Sequence, residues 1–273
     1  MHDTRPRAAF RDRAADGPEL LWSAAGARPA APSPPDSMDA HDLIARVLYR
    51  DDALLVLDKP AGLPVHAGPS GAGSLEDLLP ALRFGAREDP ALVHRLDRDT
   101  SGCLILARRR SALRRLNAQF AAGAVLKTYW AIARGAPPQP SGRIELPLAK
   151  RSDRRGWRMV VDRAGLAART DYRLVGSGDG ESWLELTPRT GRTHQIRVHL
   201  AAMGCPIVGD PVYGPEAAAG GAMMLHARAV RIPVEGGPAL EVVAPPPPAF
   251  AARLRLLGLD PGAAAPLSDP APT

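Results

Sequence analysis

The sequence predicts an α+β fold built on a mixed, mostly antiparallel β-sheet core flanked by a few helices. Short segments of strand character recur between turn residues along most of the chain, and only four segments show helical periodicity. Strands and helices do not alternate as repeating strand-helix-strand units, and no internal repeat is visible. The 273 residues, 45% hydrophobic and 23% charged, are sufficient for a substantial buried core.

Capping and turn residues delimit the elements of the first half. Ser74, with Asp77 at the capping-box position, is expected to begin a helix, and Ser111 to begin a second helix that ends at Gly123. The segment "VLKTYWAIARG" alternates as a strand does and places Lys127 and Tyr129 on one face. In chain order, the predicted elements are strands at 45–50 and 53–60, a helix at 74–85, a strand at 103–109, a helix at 111–122 and a strand at 125–135.

The second half continues with closely spaced strands. Thr193 is expected to cap a helix that stops at Gly204, and "GDPVYG" at 209–214 forms a turn. The predicted elements are strands at 143–149, 157–161, 168–175 and 181–187, a helix at 193–203, strands at 223–233 and 239–245, and a helix at 249–258.

Both ends of the chain differ in composition from the middle. Residues 1–40 contain "ARPAAPSPPDS", which cannot bury enough apolar surface to offset the entropy of ordering, and residues 259–273 are similarly rich in Ala and Pro. We therefore expect a flexible tail at 1–40, one folded domain at 41–258, and a second flexible tail at 259–273. A start of translation at Met38 is the alternative explanation for the first segment.

Positive charge is concentrated in two regions. The formal net charge is +6, and residues 94–134 alone hold nine Lys or Arg against two Asp. Residues 143–173 hold nine basic and four acidic residues. Such concentration favours a polyanionic partner whose binding depends on salt, although a run such as "RRR" at 108–110 is also typical of a solvated face.

Several classes of protein are disfavoured. Cys103 and Cys205 form neither a CxxC pair nor a disulfide framework, and the histidines lack an HExxH pattern, so we expect buried free thiols and no metal. No stretch approaches the roughly 20 apolar residues of a membrane span, and no apolar signal segment is present at the start. We therefore expect a cytoplasmic location.

The stretch "HRLDRDTSG" at 94–102 contains a candidate catalytic carboxylate. Asp97 lies between Arg95 and Arg98, whose charges favour its ionised form, and an ionised carboxylate can act as nucleophile or base. Two alternatives remain open on local sequence. Asp97 and Asp99 share a face if the segment is extended and could form a glycosidase-like pair, or the stretch is a charged loop closed by its Thr-Ser-Gly turn.

A second candidate lies in "TPRTGRTHQIRVHLAAMG". Arg197 falls in the first two turns of the predicted helix, where the positive end of the helix dipole opposes a cation, so it requires an anion such as Asp97 or a phosphate. An arginine on the surface without a partner is the alternative. Tyr129, beside Lys127 in a basic region, is either a core aromatic or a stacking surface for a base.

Three stretches resemble the RluA-type family of RNA pseudouridine synthases. They are "HRLDRDTSG", "LKTYWAIARG" at 126–135, and "RTGRTHQIRVHLAAMGCPIVGDPVYG" at 189–214, with weaker support from "LLVLDKPAGLPVH" at 54–66 and "LHA" at 225–227. The resemblance covers about residues 45–250. It implies the pseudouridine synthase fold with a central RNA-binding cleft, and makes 41–258 the catalytic domain.

The resemblance also implies roles for particular residues. Asp97 is expected to act at the ribose of the target uridine, Tyr129 to stack on its base, and Arg197 to pair with the catalytic carboxylate. Arg95 is expected to help extrude the nucleotide, because a base that stays stacked and paired cannot be rotated. The expected substrate-binding residues are Arg95, His94, Lys127, Arg192 and His194.

The implied function is isomerisation of uridine to pseudouridine in structured RNA, either rRNA or tRNA, without metal or organic cofactor. A monomer is expected, and residues 1–40 are too short and too rich in Pro and Ala for the S4-type RNA-binding domain of many relatives. Two other functions remain: an RNA-binding protein whose catalytic centre is idle, and a glycoside hydrolase that uses Asp97 and Asp99.

Overall fold

Strands dominate the protein, with helices inserted between them. The computed structural model describes residues 38–68, 73–154, 156–215 and 221–263. Its helices are α1 (Ala40–Ala45), α2 (Leu75–Leu78), α3 (Arg110–Ala121), α4 (Gln195–Ala202) and α5 (Pro248–Leu256). Its strands are β1 (Val47–Arg50), β2 (Leu54–Lys59), β3 (Ala91–Leu92), β4 (Ser101–Ala107), β5 (Leu126–Arg134), β6 (Ser141–Glu145), β7 (Leu148–Asp153), β8 (Gly156–Val161), β9 (Arg169–Gly178), β10 (Glu181–Pro188), β11 (Leu225–Ile232) and β12 (Leu240–Val243).

Ten of these strands form one sheet in the order β1-β2-β4-β11-β5-β10-β9-β6, with β3 also paired to β4 and β12 to β11. The pairing of β4 with β11 is parallel, and the others in this sheet are antiparallel. β7 and β8 form a separate antiparallel hairpin. The predicted α+β class, with a mostly antiparallel sheet, is confirmed.

Both faces of the central strands are covered. In β2, Leu55 and Leu57 point into one core cluster, while Leu54 and Val56 point into another on the opposite face. Helices α1, α2 and α4 pack on the first face, and α3 and α5 on the second. A strand buried on both faces needs apolar residues at every position, which explains runs such as "LLVL" and "CLILA".

Four predicted boundaries are wrong for local reasons. α3 starts after Arg109, not Ser111, and α4 starts after His194, not Thr193. The strand predicted at 143–149 spans the end of β6 and the start of β7, which belong to different sheets with Pro147 between them. The helix predicted at 74–85 becomes a short α-helix followed by a 3-10 helix that contains Pro80.

The ends of the domain contain more structure than the composition predicts. α1 begins with a capping box in which the Asp39 carboxylate accepts from Asp42 N–H at 2.9 Å. At the other end, Leu259 packs against the cluster around Trp130, so the predicted boundary at 258 falls too early. The greater part of both predicted tails, residues 1–37 and 264–273, lies outside the described residues.

Other expectations can be compared with the described part of the chain. Cys103 and Cys205 are buried free thiols, as predicted, and burial raises the pKa of Cys103 to about 12. None of the helices in residues 38–68, 73–154, 156–215 and 221–263 is long and apolar enough to cross a membrane. The same residues contain no group of three or more His, Cys, Asp or Glu side chains arranged to hold a metal ion.

Candidate active site

Asp97 lies in the loop between β3 and β4, and the residues around it anchor that loop. Leu96 is buried in the core, and Thr100 N–H donates to the carbonyl of Asp97 at 3.1 Å. Gly102 has φ +104°, and a Cβ there would stand 2.2 Å from the carbonyl oxygen of Ala227 on β11. Only glycine therefore allows the close parallel approach of β4 and β11 that holds the loop.

The buried Lys59 is hydrogen-bonded to the same loop. Lys59 Nζ donates to the carbonyls of Pro60 and Leu63 at 2.8 Å and of Arg98 at 2.9 Å, which uses all three ammonium protons. Burial lowers the pKa of Lys59 to about 7, against the attraction of the Asp99, Asp97 and Asp58 carboxylates. Lys59 of the "DKP" stretch therefore anchors the Asp97 loop, a role that the sequence did not indicate.

Arg197 on α4 reaches Asp97 from the opposite wall. Its Nη1 donates to Asp97 Oδ2 at 3.2 Å, although the two residues are 100 positions apart. Its Nε and Nη2 each donate to Asp210 at 2.8 Å. The anion that the helix position of Arg197 requires is therefore a pair of carboxylates, of which sequence reasoning found only Asp97.

Asp210 was missed because it lies in "GDPVYG", which predicts only a turn. Its Oδ1 also accepts from Val212 N–H at 2.9 Å and Tyr213 N–H at 3.0 Å, so the turn itself orients the carboxylate. Burial acts to raise the pKa of Asp210, but the hydrogen bonds and charge of Arg197 lower it overall. Burial acts to lower the pKa of Arg197, but the carboxylates of Asp210 and Asp97 raise it overall, so the guanidinium stays charged.

A cleft of about 300 Å³ opens in front of Asp97, a volume at the lower end of the range for pockets that take small molecules. All eight residues singled out from the sequence line it: His94, Arg95, Asp97, Lys127, Tyr129, Arg192, His194 and Arg197. They come from the Asp97 loop, from β5, and from the start of α4 and the loop before it. The third motif therefore forms the wall opposite the first.

Tyr129 on β5 forms part of the cleft lining with little of its surface exposed. Burial raises its pKa, and the negative charge of Asp97 adds to the effect. The hydroxyl is therefore protonated at neutral pH, and the ring offers an apolar face beside the carboxylate.

His94, a predicted substrate-binding residue, lines the cleft as a neutral ring. Its Nε2 accepts from Ile105 N–H at 3.0 Å, and its ring stacks on Phe120 with centroids 5.1 Å apart. Burial, together with the charge of Lys127, lowers the pKa of His94 to about 3, so the ring is neutral. His94 contributes a ring face to the cleft next to Phe120. The sequence had indicated for Phe120 only a place on the face of a helix.

The cations at the cleft divide by exposure. Arg95 and Arg192 are exposed at the rim of the cleft. Lys127 lies deeper inside, where burial lowers its pKa. Many other arginines of the basic regions are paired: Arg109 with Asp52, Arg110 with Glu88, and Arg143 with Asp171. The predicted phosphate-binding charge is thus partly neutralised away from the cleft and remains at its rim.

Asp99 does not accompany Asp97 into the cleft. The chain from 95 to 100 is a loop and not a strand, so alternate residues do not share a face. Asp99 is absent from the residues that line the cleft, and its nearest cation is Arg98, at 3.9 Å. The alternative of an Asp97 and Asp99 pair as in glycosidases is therefore wrong in its geometry.

Comparison with known families agrees with this geometry. The family model described as RNA pseudouridylate synthase matches residues 53–202, more than half of the chain. The chain belongs to the RluA-like RNA pseudouridine synthases. Members of this family are isomerases, and the present chain is an enzyme of that class.

Individual relatives share both the sequence and the fold. An uncharacterised RNA pseudouridine synthase of Zymomonas mobilis is 46% identical over 211 residues, which cover 76% of this chain and 96% of the relative. Ribosomal large subunit pseudouridine synthase C of Haemophilus ducreyi is 39% identical over 70% of this chain and 62% of its own length. The structure of human RNA pseudouridylate synthase domain containing 4 superimposes with a TM-score of 0.69 at 29% identity, covering 81% of this chain and 96% of that one.

Proposed function

We propose that this RNA pseudouridine synthase uses Asp97 as its catalytic carboxylate on uridines of structured RNA, either rRNA or tRNA. The observation that carries the proposal is the contact of Asp97 Oδ2 with Arg197 Nη1 at 3.2 Å, inside a cleft that Tyr129 also lines. Among the described residues, the hydrogen bond to the Asp97 carboxylate is made at Oδ2, so we infer that Oδ1 is the oxygen available to the target nucleotide.

The cleft suits a nucleotide that has left its helix. Its volume admits one base with its ribose, and the flat side chains of Tyr129 and Phe120 provide faces for stacking. The exposed Arg95 and Arg192 at the rim would contact phosphates on either side of the flipped nucleotide. A detached base must stay enclosed while it rotates. The walls formed by the first and third motifs would enclose it.

The reaction requires a carboxylate close to the ribose and a base that is held while its glycosidic bond is broken and remade at carbon 5. Asp97 supplies the carboxylate, and Tyr129 supplies the surface over which the uracil turns. The hydroxyl of Tyr129 remains protonated in the free enzyme, so it acts first as a stacking group.

The choice between rRNA and tRNA is supported only by the names of relatives. Relatives in Haemophilus ducreyi and Zymomonas mobilis are named for the large ribosomal subunit. We propose a uridine of large-subunit rRNA as the first substrate to test, and tRNA as the second. A monomeric state and a cytoplasmic location remain predictions from the sequence.

The test compares Asp97→Asn with the matched control Asp99→Asn. We expect Asp97→Asn to abolish pseudouridine formation on rRNA and tRNA transcripts while RNA affinity changes little, and Asp99→Asn to keep turnover. Substantial turnover by Asp97→Asn would show that another group performs the chemistry. Pseudouridine mapping in a strain that lacks the gene identifies the modified uridine, and an unchanged map would favour an RNA-binding protein with an idle centre.

A further inference from the structure

His194 has an unusual backbone conformation next to the candidate carboxylate. Its φ of 53° and ψ of 18° place it in the left-handed region, where non-glycine residues are uncommon. Phe84 and Asp179 are the other non-glycine residues with positive φ among those described. A conformation of this kind costs free energy and is found preferentially at functional sites.

Tyr213 and Trp157 hold the imidazole of His194 with one edge toward Asp97. Its Nδ1 lies 2.9 Å from the hydroxyl of Tyr213, its ring stacks on Trp157 with centroids 5.2 Å apart, and its Nε2 lies 3.9 Å from Asp97 Oδ2. Trp157 is on β8 of the separate hairpin, and Nζ of Lys150, on β7 of the same hairpin, lies 4.8 Å from the centroid of the Trp157 ring. The hairpin therefore supports the His194 ring, which itself lines the cleft.

The hydrogen bonds determine which ring nitrogen of His194 carries its proton. The hydroxyl oxygen of Tyr213 accepts from Met159 N–H at 3.0 Å, and among the described residues His194 Nδ1 is the acceptor left for the hydroxyl proton. We therefore assign Tyr213 as the donor to Nδ1, which puts the proton of the neutral ring on Nε2, toward Asp97. Burial lowers the pKa of His194 in spite of the attraction of Asp97, which is consistent with a neutral ring.

We infer that His194 is a positioning residue for Asp97: its Nε2–H faces Oδ2 and becomes a second donor to it, beside Arg197, once RNA is bound, which keeps Oδ1 available to the target nucleotide. The inference rests on the catalytic role proposed for Asp97. The distance of 3.9 Å is too long for a hydrogen bond in the free enzyme. Such contacts commonly shorten when substrate binds, so we expect closure in the RNA complex.

Two amide substitutions separate this role from a structural one. In His194→Gln the amide nitrogen can occupy the place of Nε2 and face Asp97, whereas in His194→Asn it reaches only the place of Nδ1, next to Tyr213. Asn tolerates positive φ better than Gln does, so backbone strain alone predicts that Asn is the better replacement. The positioning role predicts the opposite order.

We expect His194→Ala to lower kcat by about 10- to 100-fold, the range for one hydrogen bond to a charged group, with RNA affinity within about twofold of wild type. His194→Gln should recover most of this loss, and His194→Asn should not. Equal or better turnover by His194→Asn, or a loss of affinity that matches the loss of kcat, would overturn the inference. Urea unfolding of each variant identifies any whose activity falls because it is unfolded.

A nuclear magnetic resonance measurement tests the tautomer without any need for activity. The imidazole nitrogen shifts of the protein labelled with ¹⁵N-histidine should show His194 protonated at Nε2, and Tyr213→Phe should mix the two tautomers. Protonation at Nδ1 in the wild type would overturn the inference even if Asp97 is catalytic. Turnover by Asp97→Asn would instead refute the proposed function and leave the tautomer result standing.

Discussion

Asp210 holds the guanidinium of Arg197 through two hydrogen bonds of 2.8 Å, and so sets the position from which Arg197 reaches Asp97. Both partners are almost fully buried, so neither charge has access to water as a substitute. Removal of one member of such a pair leaves the other charge uncompensated, which costs about 3–5 kcal/mol.

Asp210→Asn should therefore lower both the free energy of unfolding and kcat. The neutral amide can accept one of the two hydrogen bonds but cannot balance the charge of Arg197, which then turns toward Asp97. Urea unfolding and turnover on one RNA transcript measure the two effects. Asp171→Asn is the matched control, because its arginine partners are partly exposed and do not line the cleft. Similar effects of the two substitutions would contradict the special role of Asp210.

Lys59→Met should affect stability more than chemistry. The methionine fills a similar volume but leaves the carbonyls of Pro60 and Leu63 without the Lys59 donor, while that of Arg98 keeps only Gly62 N–H; each buried acceptor that is left unpaired costs about 1–3 kcal/mol. We expect a clearly lower melting temperature, with turnover at low temperature close to wild type because Lys59 does not line the cleft. A melting temperature close to that of wild type would contradict this support role.

Acid should destabilise the protein through His226. Its ring is buried between Ser101 Oγ at 2.9 Å and the carbonyl of Ala244 at 3.3 Å, and burial lowers its pKa to about 4. Below pH 6.5 the unfolded chain binds a proton that the folded protein excludes, so stability falls as the pH drops from 6.5 toward 4. Above pH 6.5 the ring is neutral in both states and has no effect.

The measurement for His226 is urea unfolding at several pH values between 7 and 4. His94, with a pKa lowered to about 3, contributes in the same direction. His226→Gln keeps a donor for Ala244 but does not titrate, so its stability should depend less on pH than that of wild type. The same pH dependence in both proteins would show that other groups are responsible.

Gly102→Ala should disrupt the junction of β4 and β11. The new methyl group would stand 2.2 Å from Ala227 O, and the φ of +104° is unfavourable for alanine. Because the contact is with backbone, neither strand can yield without loss of pairing, and we expect a severe loss of soluble, folded protein. Gly73→Ala, where nothing lies within 4 Å of the added methyl group, is the control and should fold normally.

The sequence by itself determined much of the local structure and the identity of the cleft residues. Apolar runs and turn residues indicated most strands, since period and breakers act over a few residues. The arginines around Asp97 and the helix position of Arg197 indicated charges that needed partners. The family motifs then identified eight side chains, and all eight line the cleft.

Tertiary structure alone decided how those side chains are paired. Asp210 and Tyr213 lie between α4 and β11, and Trp157 lies on β8 of the separate hairpin; only the folded chain brings them into contact with Arg197 and His194. It also decided that His94 is a neutral wall residue and that α4 begins at His194 in a left-handed conformation. Ion pairs and proton positions depend on distances and burial between distant segments, which local patterns of residues do not encode.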